Sequence, residues 1–198
     1  MARMQNEFPG DSMADRIIEA AVLHLEECRN DSIELDIVAQ RLGVETDAVR
    51  SIYPTQDALE EAIGLFGVMR LSDWMNRELV AAPDEPGGAL AALAWGYLSW
   101  ARENPRLYMI VTRPAEKNEI ARRYDASFVP LICRFMGEDP QQPTRKLAIA
   151  RALISGLTQL TLAAHFDLWM KQGGDLDTEL RATIEAGVRM LLTMPIED

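Results

Sequence analysis

The chain has 198 residues, 48% of them hydrophobic, and a formal net charge of −11. That length suits one or two compact domains with a substantial core. The acidic balance excludes a surface that is basic throughout, so any contact with duplex DNA has to come from a locally favourable patch.

Capping residues, breakers and 3.6-residue periodicity place the helices in order. Ser12 with Asp15 opens the first, whose apolar face is Ile17, Ile18, Ala21, Val22 and Leu25. Asp31 with Glu34 caps the second, which carries Leu35, Val38, Ala39 and Leu42 and breaks at Gly43. A short third helix from about Thr46 to Ile52 turns Ala48, Val49 and Ile52 inward. Pro54 ends it, and Thr55 caps a long fourth helix reaching about Ala81. Ala82–Gly88, with two prolines and two glycines, reads as a loop. A fifth helix runs to Glu103, where Asn104-Pro105 is a stop followed by a fresh start. The sixth contains Leu107–Val111, and the seventh spans about Glu116–Met136 with a bend at Pro130. Thr144–Lys171 is the longest expected helix, about 40 Å at the α-helical rise. Gly173-Gly174 ends it, and Asp175 or Asp177 starts a last helix running to about Met194. Strand signals are scarce, so the expected class is all-α with about nine helices.

Ile33–Tyr53, IELDIVAQRLGVETDAVRSIY, is two short helices joined by a tight glycine-containing turn. This unit places its second helix in the major groove. Ala39 is small where the helices must approach, Leu42 and Val44 flank the turn, and Val49 and Ile52 point back into the small core.

The surrounding pattern resembles the TetR-family head throughout residues 13–65: RIIEAA, then AQRLGVE at the turn, then Tyr53-Pro54 followed by Thr55-Gln56-Asp57-Ala58-Leu59. The resemblance implies a helix-turn-helix head at 1–55 and a C-terminal ligand-binding and dimerisation domain at 56–198. Gly96–Val111, GYLSWARENPRLYMIV, is similar to the fifth-to-sixth helix corner of such C-terminal domains. In that family a Thr, Tyr and His on the second helix, and a Lys opening the fourth, commonly meet phosphates and bases. Here those positions hold Ala48, Arg50, Ile52 and Gln56. Over residues 15–60 eleven acids face four bases (Arg16, Arg29, Arg41 and Arg50), a net of −7.

Two readings follow. In one, Arg50 reads a guanine edge while Arg41, Thr46, Ser51, Tyr53 and Gln56 supply phosphate or base contacts, with Glu45 accepting from cytosine amino groups. In the other, the head is a retained scaffold without DNA recognition, and the protein acts as a protein-binding adaptor or a carrier of apolar ligands.

All four tryptophans, Trp74, Trp95, Trp100 and Trp169, fall after the head. Apolar concavities between helices with a few polar anchors are the usual small-molecule sites. Trp95, Tyr108, Met109, Phe128 and Phe166 are candidates to line one, with Arg102, Gln159 or His165 orienting a polar end. Ala148, Ala152, Ser155 and Gly156 form a small-residue stripe with Leu160 beside it. Ile184, Val188 and Leu191 form a matching face on the last helix. Two such helices from each subunit make an isologous four-helix interface.

Cys28 and Cys133 lack CxxC or Cys/His spacing, which points to two reduced, buried thiols. With no phosphate loop, GxGxxG, metal cluster or nucleophile–base grouping, an enzyme is not expected, and no cofactor is implied. Met1–Gly10 has no apolar signal-peptide core, and the apolar run Ala89–Ala101 is shorter than the about 20 residues needed to span a bilayer. The expectation is a cytoplasmic homodimer that binds duplex DNA and a small apolar ligand: a transcriptional regulator, by family resemblance a repressor.

Overall fold

The computed structural model describes residues 12–28, 33–113, 119–142, 144–169 and 174–195. Among these the chain is all-α. Nine α-helices follow one another: α1 Met13–Cys28, α2 Leu35–Leu42, α3 Thr46–Arg50, α4 Gln56–Val80, α5 Gly88–Glu103, α6 Pro105–Val111, α7 Glu119–Met136, α8 Arg145–Leu162 and α9 Leu176–Thr193. A 3-10 turn, Phe166–Trp169, lies between α8 and α9. The expected cap at Asp31, the start at Glu116 and the stop at Gly173 lie outside the described residues.

The caps act as their chemistry dictates. Asp15 N donates to Ser12 Oγ at 3.1 Å while Ser12 Oγ donates to the Asp15 carboxylate at 2.7 Å, closing a capping box on α1. Gly43 ends α2 at φ 67°, and its neighbour's amide, Val44 N, reaches Ala39 O at 3.0 Å. A side chain there would strain the backbone, which is why the turn needs glycine. Ala58 N donates to Thr55 Oγ1 at the start of α4, and Thr178 N to Asp175 at the start of α9. α7 continues through Pro130, which cannot donate to the carbonyl one turn before it; Pro130 and Ala126 are both exposed.

One expected helix is shorter than its pattern. α8 stops at Leu162 rather than Lys171, because Ala164 adopts φ 54° and His165 N turns back to Leu160 O at 2.9 Å. A left-handed alanine costs about 1–2 kcal/mol, so no sequence signal marks the break.

The chain divides into two compact units, Met1–Val68 with Arg106–Ala121, and Met69–Pro105 with Arg122–Asp198. In the first, Ile17, Ala21, Leu25, Val38, Val49, Leu59, Ile63 and Leu107 are buried. This unit extends past residue 55 because α6 packs onto the first half of α4. At Gly67 a Cβ would lie 2.6 Å from Val111 and 3.0 Å from Leu107, so glycine permits the approach. The unit is also pinned electrostatically. Glu26 of α1 accepts from Arg106 N at 3.1 Å and Leu107 N at 2.8 Å, the orphan amides at the start of α6. Arg113 pairs with Glu60 of α4.

In the second unit, α5 is the central helix, with Trp95, Leu98, Trp100 and Ala101 buried. Its apolar face joins Leu90, Trp95 and Leu98 to Phe166 and to Leu180, Ile184 and Val188 of α9, with Phe135 and Leu157 at the edge. Arg102 holds Asp177 at 2.6 Å, tying the end of α5 to the start of α9.

Candidate functional site

The head presents its second helix as a short, polar ridge. α3 has five residues, and only Val49 among them is fully buried. Ala48 and Ile52 were expected to turn inward with it, but both are exposed. Ala48 precedes Val49 by 100° of helical rotation, and Ile52 follows the end of the helix in a turn. Arg50 and Ser51 share that exposed side, Thr46 and Tyr53 are half-buried, and Arg41 lies on α2.

Several of these side chains already have partners within the unit. Arg41 pairs with Glu27 at 2.6 Å and Arg50 with Asp36 at 3.7 Å. Ser51 Oγ donates to Ala48 O at 2.7 Å. Gln56 Nε2 donates to Ile33 O and to Glu60 at 3.1 Å, so both its amide protons are held inside the head. Burial, then the Asp15 carboxylate, raises the Tyr53 phenol above its ordinary pKa, so it remains a neutral hydroxyl able to donate. Exposed ion pairs of this kind are worth only about 0–1 kcal/mol. A phosphate therefore competes for Arg41 and Arg50 on easy terms, but it does so beside the carboxylates of Glu27 and Asp36.

The candidate ligand residues divide between the units. Tyr108, buried, and Met109, exposed, are in the first, whereas the other six belong to the second. There Trp95 and Phe166 meet in the core, Phe128 is half-buried, Arg102 is engaged with Asp177, and Gln159 and His165 are exposed. The candidate interface residues also separate. Ala148, Ala152 and Leu160 are exposed on α8, and Ser155 and Gly156 are half-buried. Ile184, Val188 and Leu191 are buried within their own subunit, so these α9 side chains face inward rather than toward a partner. The outward side of α9 carries Ala182, Ala186 and Met190 instead. Cys133 is buried as expected, but Cys28 is exposed on the last turn of α1.

Solved structures share this fold. A protein of unknown function from Rhodococcus sp. RHA1 superposes with a TM-score of 0.74 at 21% identity, covering 96% of this chain and 100% of that one. A TetR/AcrR-family transcriptional regulator from Thermobifida fusca YX-ER1 gives 0.61 at 18% identity, covering 93% and 98%. The TetR-family regulator PfmR from Thermus thermophilus gives 0.58 at 17%, covering 88% and 98%. No curated protein matches the chain. The family model described as the Tetracyclin repressor-like C-terminal domain matches residues 90–187. The chain belongs to the TetR family. The matched range of the TetR-type domain runs from the first turns of α5 into α9 and includes the whole apolar cluster around Trp95 except its last member, Val188.

Three residues of this TetR-family chain escaped the pattern-based reading. Glu26 caps a helix 80 positions away. Thr158, fully buried, has a hydroxyl with no hydrogen-bond partner among the described residues. Such a group costs about 1–3 kcal/mol unless a water or ligand atom reaches it. Arg181 lies over the Trp95 ring, its Cζ 3.7 Å from the centroid. Only the apolar neighbours of each left a periodic signal.

Proposed function

We propose that this TetR-family protein is a cytoplasmic, homodimeric, ligand-responsive DNA-binding regulator that acts as a repressor. The observation that carries the reading is the glycine-turned α2–α3 pair, with Arg50 exposed on its second helix and Ser51 exposed at that helix's C-cap. In this account Arg50 donates to a guanine edge, while Thr46, Ser51, Tyr53 and Arg41 meet the backbone. Gln56 contributes by fixing the start of α4 rather than by reaching DNA. The exposed stripe Ala148, Ala152 and Leu160 of α8, with the outward side of α9, forms the two-fold interface that sets the spacing of the recognition helices. An apolar ligand entering the second unit shifts the balance between two arrangements by binding one better than the other.

A second reading rests on the head's ion pairs. Arg41 and Arg50 are each neutralised by a neighbouring carboxylate, which suits a head that has lost DNA recognition and meets a basic protein instead.

The test is a titration of the ligand-free protein against its own upstream region and pooled random duplex DNA, at low and moderate salt. The regulator reading expects selective, salt-sensitive binding, with affinity falling as salt rises. Folded protein that binds no duplex even at low salt overturns it in favour of the adaptor.

A further inference from the structure

A cleft of about 260 Å³ opens in the second unit where the end of α4, the α4–α5 loop, the start of α5 and α9 meet. Its floor includes Ala91, Trp95, Ile184 and Val188. The loop wall is fixed: at Gly87, φ 86°, a Cβ would lie 2.7 Å from Val188, so the loop is seated tightly on α9. The volume is below the about 300 Å³ at which drug-sized pockets begin, so the occupant is small.

The rim carries an excess of carboxylates. Glu78, Glu85 and Glu185 line it with Arg181 and Arg189. Glu185 and Arg189 approach one another at 3.9 Å. Glu78 and Glu85 have no ion-pair partner among the described residues. Arg181 has none either, and its guanidinium lies over Trp95 instead. The indole face is thus already occupied by a cation that belongs to the chain. A cation over tryptophan is the favoured pairing for an aromatic face, and desolvation strengthens it.

We propose that this cleft binds a small organic cation carrying an apolar group, and that Arg181 is its resident competitor. The incoming cation takes the face of Trp95, its apolar part covers Ala91, Ile184 and Val188, and Glu78 and Glu85 neutralise it from the rim. Arg181 is exposed and swings outward without breaking an ion pair. This deepens the ligand-responsive reading by naming a ligand class and a place, and its test needs no DNA. A failure of the head to bind DNA therefore leaves it untouched, and its own failure leaves the head's function open.

The experiment is calorimetric titration of the full chain with benzyltrimethylammonium at low salt, with benzoate as the anionic counterpart. The cation binds saturably and benzoate does not. Arg181→Ala tightens the cation about three- to tenfold by removing the competitor. Glu78→Gln weakens it by about two- to threefold, and Trp95→Phe, which keeps an aromatic floor, weakens it further. Far-UV circular dichroism establishes that each variant is folded, and Arg181→Gln replaces the alanine variant if that one is not. Benzoate binding that disappears with Arg181 overturns the proposal, since the arginine is then an anion anchor. So does cation affinity unchanged by all three substitutions, or no cation binding at millimolar concentration.

Discussion

Replacing Glu26 tests how the first unit is held together. Its carboxylate accepts from two amides at the start of α6, at 2.8 and 3.1 Å, with a longer approach to Arg106 N from the second oxygen at 3.3 Å. Loss of a side-chain cap costs about 1 kcal/mol. The charge–dipole interaction at a partly buried helix start adds about 0.5–1 kcal/mol. Glu26→Ala is therefore expected to destabilise the first unit by about 2 kcal/mol, equivalent to about 4–8 °C in Tm for a chain of this size. Glu26→Gln keeps an acceptor and loses only the charge, so it should cost less than half as much. Urea denaturation followed by circular dichroism measures the difference, and hydrogen exchange localises it to the Arg106 and Leu107 amides. An alanine variant within about 0.3 kcal/mol of the parent, or a glutamine variant as costly as alanine, refutes the reasoning; both lie well outside what a working charged cap allows.

Further outcomes follow from the same physical arguments. Gly67→Ala forces a methyl against Val111 and Leu107 and should cost about 1–3 kcal/mol. Gly64→Ala, with Ile110 at 4.0 Å, should be neutral or stabilising in the same denaturation assay. Ala164→Gly relieves the left-handed alanine and should stabilise by about 0.5–1 kcal/mol, read as a Tm rise. Asp175 is held below the ordinary aspartate pKa by its hydrogen bonds from Thr178. Its contribution is therefore present above the unfolded-state value and lost as pH falls through the lower folded one; the protection of the Thr178 amide, measured against its intrinsic exchange rate, should fall in acid, and Asp175→Ala should abolish that fall. On the proposed regulator reading, Asp36→Asn frees Arg50 and removes a carboxylate beside it, so DNA affinity at low salt should rise about threefold, an effect read by the same titration and diminishing with added salt.

Local chemistry was legible wherever a residue had to satisfy its own neighbourhood. Ser12 with Asp15, Gly43, Thr55 and Asn104-Pro105 each announce a helix end because the capping group lies within a few residues of what it caps. Ala164 announces nothing, since its backbone strain is imposed by surroundings that composition does not encode. The apolar stripe Ile184, Val188 and Leu191 was plain, but a stripe that meets its own subunit's core looks the same as one that meets a partner's. Ala48 and Ile52 misled for a related reason: α3 is too short for periodicity to separate inside from outside. Pairings such as Arg102 with Asp177, or Glu26 with the start of α6, join positions tens of residues apart and leave no periodic trace. The candidate ligand residues divide between the two units, because an aromatic residue is written the same way whichever unit receives it.

The placement of α6 has a consequence for how the protein is made. The first unit is sewn from two stretches of chain, with residues 69–105 belonging to the second unit between them. A ribosome that has released the helix-turn-helix has not yet supplied the helix that covers Gly64 and Gly67. At about 5–20 residues per second, the nascent head waits several seconds with part of its apolar surface uncovered. Maturation of the head is thereby placed after synthesis of α5, and an excised N-terminal fragment ending before Pro105 would keep that surface open.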